Sequence, residues 1–228
     1  DGINDPLEGF NRFTHRNNKV TDTVVLRPVS HIYGNLLPQP VRKSVDNFAG
    51  NLSQPSYMIN DMLQGRVDDA GHNFFRFMIN STIGLGGISD PAHSFGLTER
   101  RSDFGETLYT WGVGEGVYLE LPLLGPSTGR DAVGRIADFA LDPVGRMVMT
   151  VQERQALNKL RFAEIVGDRY TNGRAIDALL YESADSYTLL RSFYLQNRRF
   201  TLMGSDGQSA LSPDLDPFDD PFAIPVSQ

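Results

Sequence analysis

Apolar positions recur at helical spacing along most of the chain, and prolines punctuate them. After Asp5-Pro6, a cap followed by a first-turn proline with Glu8 behind it, Leu7, Phe10 and Phe13 fall on one stripe. Arg27-Pro28 predicts the start of a second segment and Pro38-Gln39-Pro40 a third. Val41, Val45, Phe48, Ala49 and Leu52 make one helical face. Ser53 and Pro55 predict a restart, with helix resuming from Tyr57 to Leu63. Val67, Ala70, Phe74, Phe77 and Met78 form a further face that Phe75 widens. A helix apolar over so wide an arc is either fully buried, the ordinary outcome, or touches a second apolar phase.

The pattern fails between Asn80 and Asp131. This stretch carries ten glycines, with Pro91, Pro122 and Pro126. Such density excludes long helices and a continuous sheet, leaving Tyr118 to Pro122 as one short extended piece. Helical spacing returns over Ala132 to Phe139, after the Asp142-Pro143 start, and over Val151 to Val166. Ile176, Leu179, Leu180, Ser183, Tyr187, Leu190 and Tyr194 keep it for five turns, predicting one long helix. That helix is expected to end near Arg198-Arg199, where cations suit the C-terminal dipole. Beyond Phe200 there is no Lys or Arg, and Ser205 to Gln228 holds five Asp and several Pro, an acidic, flexible tail by composition. The expected class is mainly α: one compact helical domain over 1–204 with a glycine-rich irregular middle and little or no β, followed by the tail at 205–228.

Composition narrows the chemistry. The 228 residues are 40% hydrophobic, enough for a core, and the charged share of 21% is slightly below the usual quarter. The net charge of −7 supplies no basic face for nucleic acid. Lys19, Lys43 and Lys159 are the only lysines among 21 basic residues. The remaining Arg suit bidentate contact to phosphate, although compositional bias of the genome is the better explanation of their number. With no Cys, the chain has no disulfide, thiol nucleophile or thiolate metal site. No apolar run reaches the ~20 residues that a membrane-spanning helix needs.

The motifs argue against an enzyme. Gly125-Pro-Ser127-Thr-Gly129 matches a nucleophile elbow, yet His15, His31, His72 and His93 all precede Ser127, whereas that fold places the triad His after it. A turn in which Ser127 or Thr128 caps the next helix accounts for the same residues. The histidines have no zinc-site spacing, and the Gly84 and Gly112 loops do not fit a nucleotide fingerprint, so neither metal nor cofactor is expected. What remains is a set of amphipathic helices flanking a glycine-rich stretch that bears Phe104, Tyr109, Trp111, Tyr118 and the apolar Leu121-Pro-Leu123-Leu124. Such aromatics suit a membrane interface or a close-packed loop.

Many short blocks in order then point to one family. They include Asp5-Pro-Leu-Glu-Gly-Phe-Asn-Arg12, Arg27-Pro-Val29, Pro38-Gln-Pro40, Asn47-Phe48, Asn51-Leu52, Leu63-Gln-Gly65 and Asn80-Ser-Thr-Ile-Gly-Leu-Gly-Gly87. Phe104-Gly-Glu-Thr-Leu108, Trp111-Gly-Val-Gly114, Gly125-Pro-Ser127, Arg130-Asp131, Asp185-Ser-Tyr187, Arg191, Tyr194 and Arg198 follow. Over roughly residues 3 to 200 the chain resembles the MlaA/VacJ family of outer-membrane phospholipid-transport lipoproteins. The resemblance implies a ring-like helical protein seated in the inner leaflet of the outer membrane, beside a trimeric porin. It implies that misplaced phospholipid passes from the outer leaflet through an amphipathic channel to a soluble periplasmic carrier, with no bond broken. It also implies an acylated N-terminal Cys, a residue this sequence does not contain.

On that resemblance, channel or gate candidates are Phe74, Phe77, Met78, Ile83, Gly84, Gly86, Gly87, Trp111, Gly112, Gly114, Gly116, Tyr118, Leu121, Leu123 and Leu124. Gly86-Gly87 and Gly112 to Gly116 are the expected hinges. Arg76, Arg100, Arg101 and Arg130 are head-group candidates, each with nearby carboxylates as competing partners. The alternatives are a lipid or ester hydrolase using Ser127 and a purely structural porin-associated protein.

Overall fold

Caps, prolines and tight glycine turns divide the chain into the helices that build its wall. The structure, a computed structural model, describes residues 4–147 and 150–210, with side chains through Met203. Helix α1 (Glu8–Thr21), a π-helical turn (Asp22–Leu26) and α2 (Arg27–Leu36) form one uninterrupted rod. The predicted break at Arg27-Pro28 does not occur, because the wider turn in front of Pro28 absorbs both its ring and its missing donor. Nor does Asp5 cap α1, whose N-cap is Leu7. The Asp5 carboxylate instead accepts from Asn11, Tyr187 and Arg191.

Helix α3 (Gln39–Leu63) runs through Pro55, where a restart was expected. Its extensive packing on α4 (Val67–Thr82) compensates for the one hydrogen bond that the proline removes. The glycine-rich middle is irregular but not featureless. It holds α5 (Pro91–Ser94), α6 (Phe104–Thr110) and an antiparallel hairpin of β1 (Tyr118–Leu121) and β2 (Gly125–Thr128), in register Tyr118 to Thr128 and Leu121 to Gly125. Next come α7 (Gly129–Leu141), α8 (Pro143–Arg146) and α9 (Val151–Thr171), which extends past the expected Val166. Asp103, Thr128 and Asp142 cap α6, α7 and α8, and Thr150 with Glu153 forms a capping box on α9.

The long helix predicted across Ile176 to Tyr194 is two helices, α10 (Gly173–Tyr181) and α11 (Ser186–Ala210). Asp185 accepts the Thr188 N–H at 3.2 Å, which is capping geometry. Four residues make about one turn, so the break preserves the apolar period and hides from it. Helix α11 also continues beyond Arg198-Arg199 to Ala210, across the expected domain boundary at 204/205. Most of the predicted tail, 211–228, lies outside the described residues.

The interior is where the chain departs most from an ordinary globular protein. Among the described residues the buried apolar side chains are Ala49, Ala70, Ala92, Tyr118, Val144, Val166, Tyr187 and Leu195, three of them alanines. A far larger buried set is polar or charged, including Asn11, Asp22, Asn51, Asp61, Asn73, Arg76, Arg130, Asp131, Arg169 and Arg191. Meanwhile Phe10, Phe13, Ile32, Leu36, Phe74, Phe75, Ile83, Ile136, Phe139, Phe162 and Phe193 stand exposed. Helix α4 shows the inversion directly: Ala70, Asn73, Arg76 and Asn80 face inward while Val67, Phe74, Phe75 and Met78 face out. The ordinary expectation, burial of its apolar arc, is therefore wrong. The arc is solvent-accessible because the polar stripe on the opposite side finds partners inside.

Those partners are satisfied in pairs drawn from distant segments. Arg169 forks onto Asp22 at 2.7 and 2.9 Å and reaches Asp177 at 2.6 Å. Arg198 holds Asp103 and Asp131, and Tyr194 donates to Asp131 at 2.6 Å. Asn73 donates to Asp61 at 2.8 Å. Burial by itself pushes these carboxyls up. At Asp22, Asp131 and Asp5, hydrogen bonds from arginine and tyrosine outweigh burial and hold the carboxyl below its usual range. At Asp61 burial prevails and the carboxyl is raised.

Candidate functional site

Two cavities flank the α3–α9 packing and share Glu164 in their walls. The first, about 440 Å³, exposes mainly apolar surface, from Ala49, Leu52 and Tyr57 of α3, Phe139, Val144, and Leu157, Leu160 and Ile165 of α9, with Asp103, Asp138, Asp142, Arg161 and Glu164 also in its wall. The second, about 320 Å³, is almost wholly polar: Asp46, Asn47 and Asn51 of α3, Arg76 and Asn80 of α4, Asp90, Glu99 and Arg101, and Glu164 and Asp168 of α9. Small residues on α3 (Ala49, Gly50, Ser53 and Ser56) leave the room. The pair is amphipathic as a whole, an apolar chamber beside a charged one.

The electrostatics of the polar chamber are uneven. Arg76 pairs with Asp90 at 3.1 Å and Arg101 with Glu99 at 3.3 Å. Burial would raise Asp90, but donors from Asn80 and Arg76 hold it low. Asp46 and Glu164 are both raised, by burial first and then by repulsion from Asp168.

The sequence candidates scatter around this site. Arg76 and Arg101 line the polar chamber. Arg100 lies outside it, bonded to Asp69 at 2.6 Å, and Arg130 is buried beside Asp131 with its guanidinium 5.3 Å over Tyr109. All four thus have a carboxylate partner. Phe74, Met78 and Ile83 face outward from α4 and its end, Phe77 is half-buried, and Trp111, Leu123 and Leu124 are exposed while Leu121 is half-buried. Leu85 and Leu123 hold the left-handed conformation, at φ 55° and 64°, with about three-quarters of each side chain exposed, 74% and 73%. Such strain in a β-carbon residue needs support from its surroundings. Tyr118 is fully buried and donates to Glu120 at 2.6 Å.

Among the glycines, Gly84 and Gly87 are buried, and a side chain at Gly87 would run into Asn51. Gly86, Gly112 and Gly116 are exposed with φ of 76°, 85° and 76°, and Gly114 is open on its α-carbon side. None of these glycines lines either chamber.

Ser127 is fully buried and, among the described residues, its hydroxyl meets only the Thr128 carbonyl, at 3.3 Å, with no base beside it. A Ser–His–carboxylate order does occur elsewhere: His15 bridges Ser186 at 3.0 Å and Glu120 at 3.4 Å. Glu120 is also engaged by Tyr118 and Asn18, and Ser186 by Lys19. That chain ties α1, β1 and α11 together inside the polar interior.

The chamber walls on α3 and α9 were missed in the sequence, where they read as ordinary helices. The available signal was three acids, Asp46, Glu164 and Asp168, beside a small-residue face on α3.

Comparison with known proteins completes the picture. The family model for MlaA lipoprotein matches residues 3–201. The chain belongs to the MlaA lipoprotein family. It is 36% identical over 224 residues to the "Intermembrane phospholipid transport system lipoprotein MlaA" of Shigella flexneri, covering 93% of this chain and 84% of that one. The Haemophilus influenzae protein of the same name is 34% identical, with 95% and 85% covered. A solved structure described as "Structural basis for maintenance of bacterial outer membrane lipid asymmetry" aligns with a TM-score of 0.74 at 32% identity, covering 87% of this chain and 98% of its own. The MlaA blocks now have a physical meaning. Asp5, Tyr187 and Arg191 meet one another, as do Asp131, Tyr194 and Arg198, so blocks far apart in sequence are the two ends of the same buried bonds.

Proposed function

We propose that this chain moves phospholipid at an outer membrane, taking misplaced lipid from the outer leaflet and releasing it to a soluble periplasmic carrier. One observation carries the reading: an apolar chamber and a charged chamber share Glu164 between α3 and α9. A phospholipid needs an apolar wall for its tails and a polar wall for its head, since a bare head group in hydrocarbon is costly. The exposed apolar stripes support a seat in the inner leaflet, where lipid would cover them. Among the described residues no helix is long and apolar enough to cross a membrane, which suits helices that lie in one leaflet.

In this reading the native precursor is lipid-anchored on the periplasmic side and sits beside a trimeric porin, and the chemistry is passage without bond cleavage. The loops around Gly86-Gly87 and Gly112 to Gly116 act as the movable lip. Left-handed glycines next to exposed Leu85 and Trp111 support that role. Head-group contact falls to Arg76 and Arg101.

The test blocks the apolar chamber. Ser53→Trp and Ser56→Trp fill space on α3 without introducing charge. In cells where this chain replaces the resident family member, outer-leaflet phospholipid should rise to the level of cells lacking the protein. Retained lipid asymmetry at normal protein abundance would overturn the reading. Bulky substitution at Gly114, where a side chain meets open space, tests the lip separately by the same assay.

A further inference from the structure

The polar chamber is unbalanced in a way that names its ligand. Its two guanidiniums are each matched by a carboxylate, Arg76 by Asp90 and Arg101 by Glu99. Asp46, Glu164 and Asp168 remain, and none has a cation within 4.0 Å among the described residues. Two buried wall residues are also incomplete. Asn51, 3% exposed, has a side-chain oxygen with no donor, and Arg76, 5% exposed, has an Nε with no acceptor. The wall thus lacks a donor at one place and an acceptor at another. A ligand reaching both would carry a donor and an acceptor together.

We propose that this chamber binds a head group bearing both a phosphate and a primary ammonium, the phosphoethanolamine class. The inference rests on the transport reading and gives it a substrate preference. Arg76 and Arg101 meet the phosphate, by charge-assisted bonds. The ammonium lies among Asp46, Glu164 and Asp168, held by no more than two of them at once. A phosphoglycerol head brings no cation and would leave the three acids with only Arg42 and Arg101, beyond ion-pair distance, to offset them. A phosphocholine head brings a cation without N–H groups, of the kind that proteins hold against aromatic faces. No Trp, Tyr or Phe lines this chamber. A divalent cation fits poorly, since the described residues contain no group of three or more side chains placed to hold a metal. The adjoining apolar chamber favours a diacyl lipid over a free phosphoammonium compound, because the tails have somewhere to go.

Raised carboxyls at Asp46 and Glu164 agree: burial and Asp168 make their negative charge costly, and an arriving ammonium relieves that.

The experiment incubates the full chain with vesicles holding equal parts phosphatidylethanolamine, phosphatidylglycerol and phosphatidylcholine with identical acyl chains. Lipid that remains with the repurified protein is quantified by mass spectrometry. The ethanolamine lipid should be enriched about tenfold over either competitor, the ratio expected for one charge-assisted contact. In Glu164→Gln/Asp168→Asn the enrichment, taken as a ratio within whatever lipid is bound, should fall to within about twofold. The double variant should fold at least as well as wild type, since it removes like charge. Bound lipid without ethanolamine enrichment in wild type, or enrichment unchanged in the folded variant, overturns the proposal while leaving transport standing. Binding of soluble phosphoethanolamine without enrichment of the diacyl lipid overturns the lipid assignment. No bound lipid of any kind overturns both this and the transport reading.

Discussion

Helix α4 offers a direct test of the inverted interior, because its two faces make opposite predictions. Phe75 is 58% exposed and stacks edge-on against Phe74 at 5.7 Å. A Phe side chain presents roughly 200 Å², so about 115 Å² of this one faces outward. At about 25 cal/mol per Å² its transfer from water into lipid contributes roughly 3 kcal/mol. Phe75→Asp removes that term and adds a charge that hydrocarbon resists by a further ~2.5–3.5 kcal/mol at the bilayer centre, less near the interface. Binding to vesicles, measured by flotation, should therefore weaken about a hundredfold or more. The melting temperature in detergent should stay near wild type, since the ring is not part of the interior.

On the opposite face Asn73 is fully buried and donates to Asp61 and to the Arg100 carbonyl. Asn73→Leu should leave flotation alone and lose about 1–3 kcal/mol of stability, because Asp61 is left short of a donor. If Phe75→Asp unfolds the protein, or floats as wild type does while remaining folded, the outward arc does not contact lipid and the reasoning is refuted.

Other perturbations test the interior. Arg169→Ala strands Asp22 inside the fold and should destabilise it by about 3–5 kcal/mol, read by urea denaturation. Gly134→Ala places a β-carbon 2.5 Å from the Gly105 backbone nitrogen, so α6 and α7 must separate. A loss of about 1–3 kcal/mol is expected in the same assay, and no loss would mean the two helices are loosely joined. The Glu106 carboxyl, buried and beside Asp103, is raised from 4.5 to about 7. Its folded pKa exceeds the unfolded one, so its contribution is present below pH 4.5 and disappears as pH rises through about 7. The melting temperature should fall across that window in wild type, by the equivalent of on the order of 3 kcal/mol. Glu106→Gln should flatten it.

Much of the fold was legible from local chemistry. Helix starts at Asp142-Pro143 and after Thr128 follow from cap geometry that needs no tertiary information, and so does the glycine-rich interruption. Misreadings came where packing overrode a local rule. Pro55 and Pro28 read as breaks, yet tertiary contacts and a π-helical turn carried the helix across both. Asp185 read as part of a periodic run because a four-residue break is nearly one helical turn.

By itself the sequence determined helix spacing, the class, and the order of blocks that marks the family. It could not determine which side of each helix faces inward. An amphipathic helix has the same pattern whether its apolar arc meets a core or a lipid; only the location of partners decides. Here Asp5, Asp22 and Asp131 find donors from segments dozens of residues away, and Asp61 finds one on the next helix, so the polar arcs turn in and the apolar arcs turn out. The chambers followed the same logic. Small residues on α3 meet acids on α9 more than a hundred positions later along the chain, and no local window contains both.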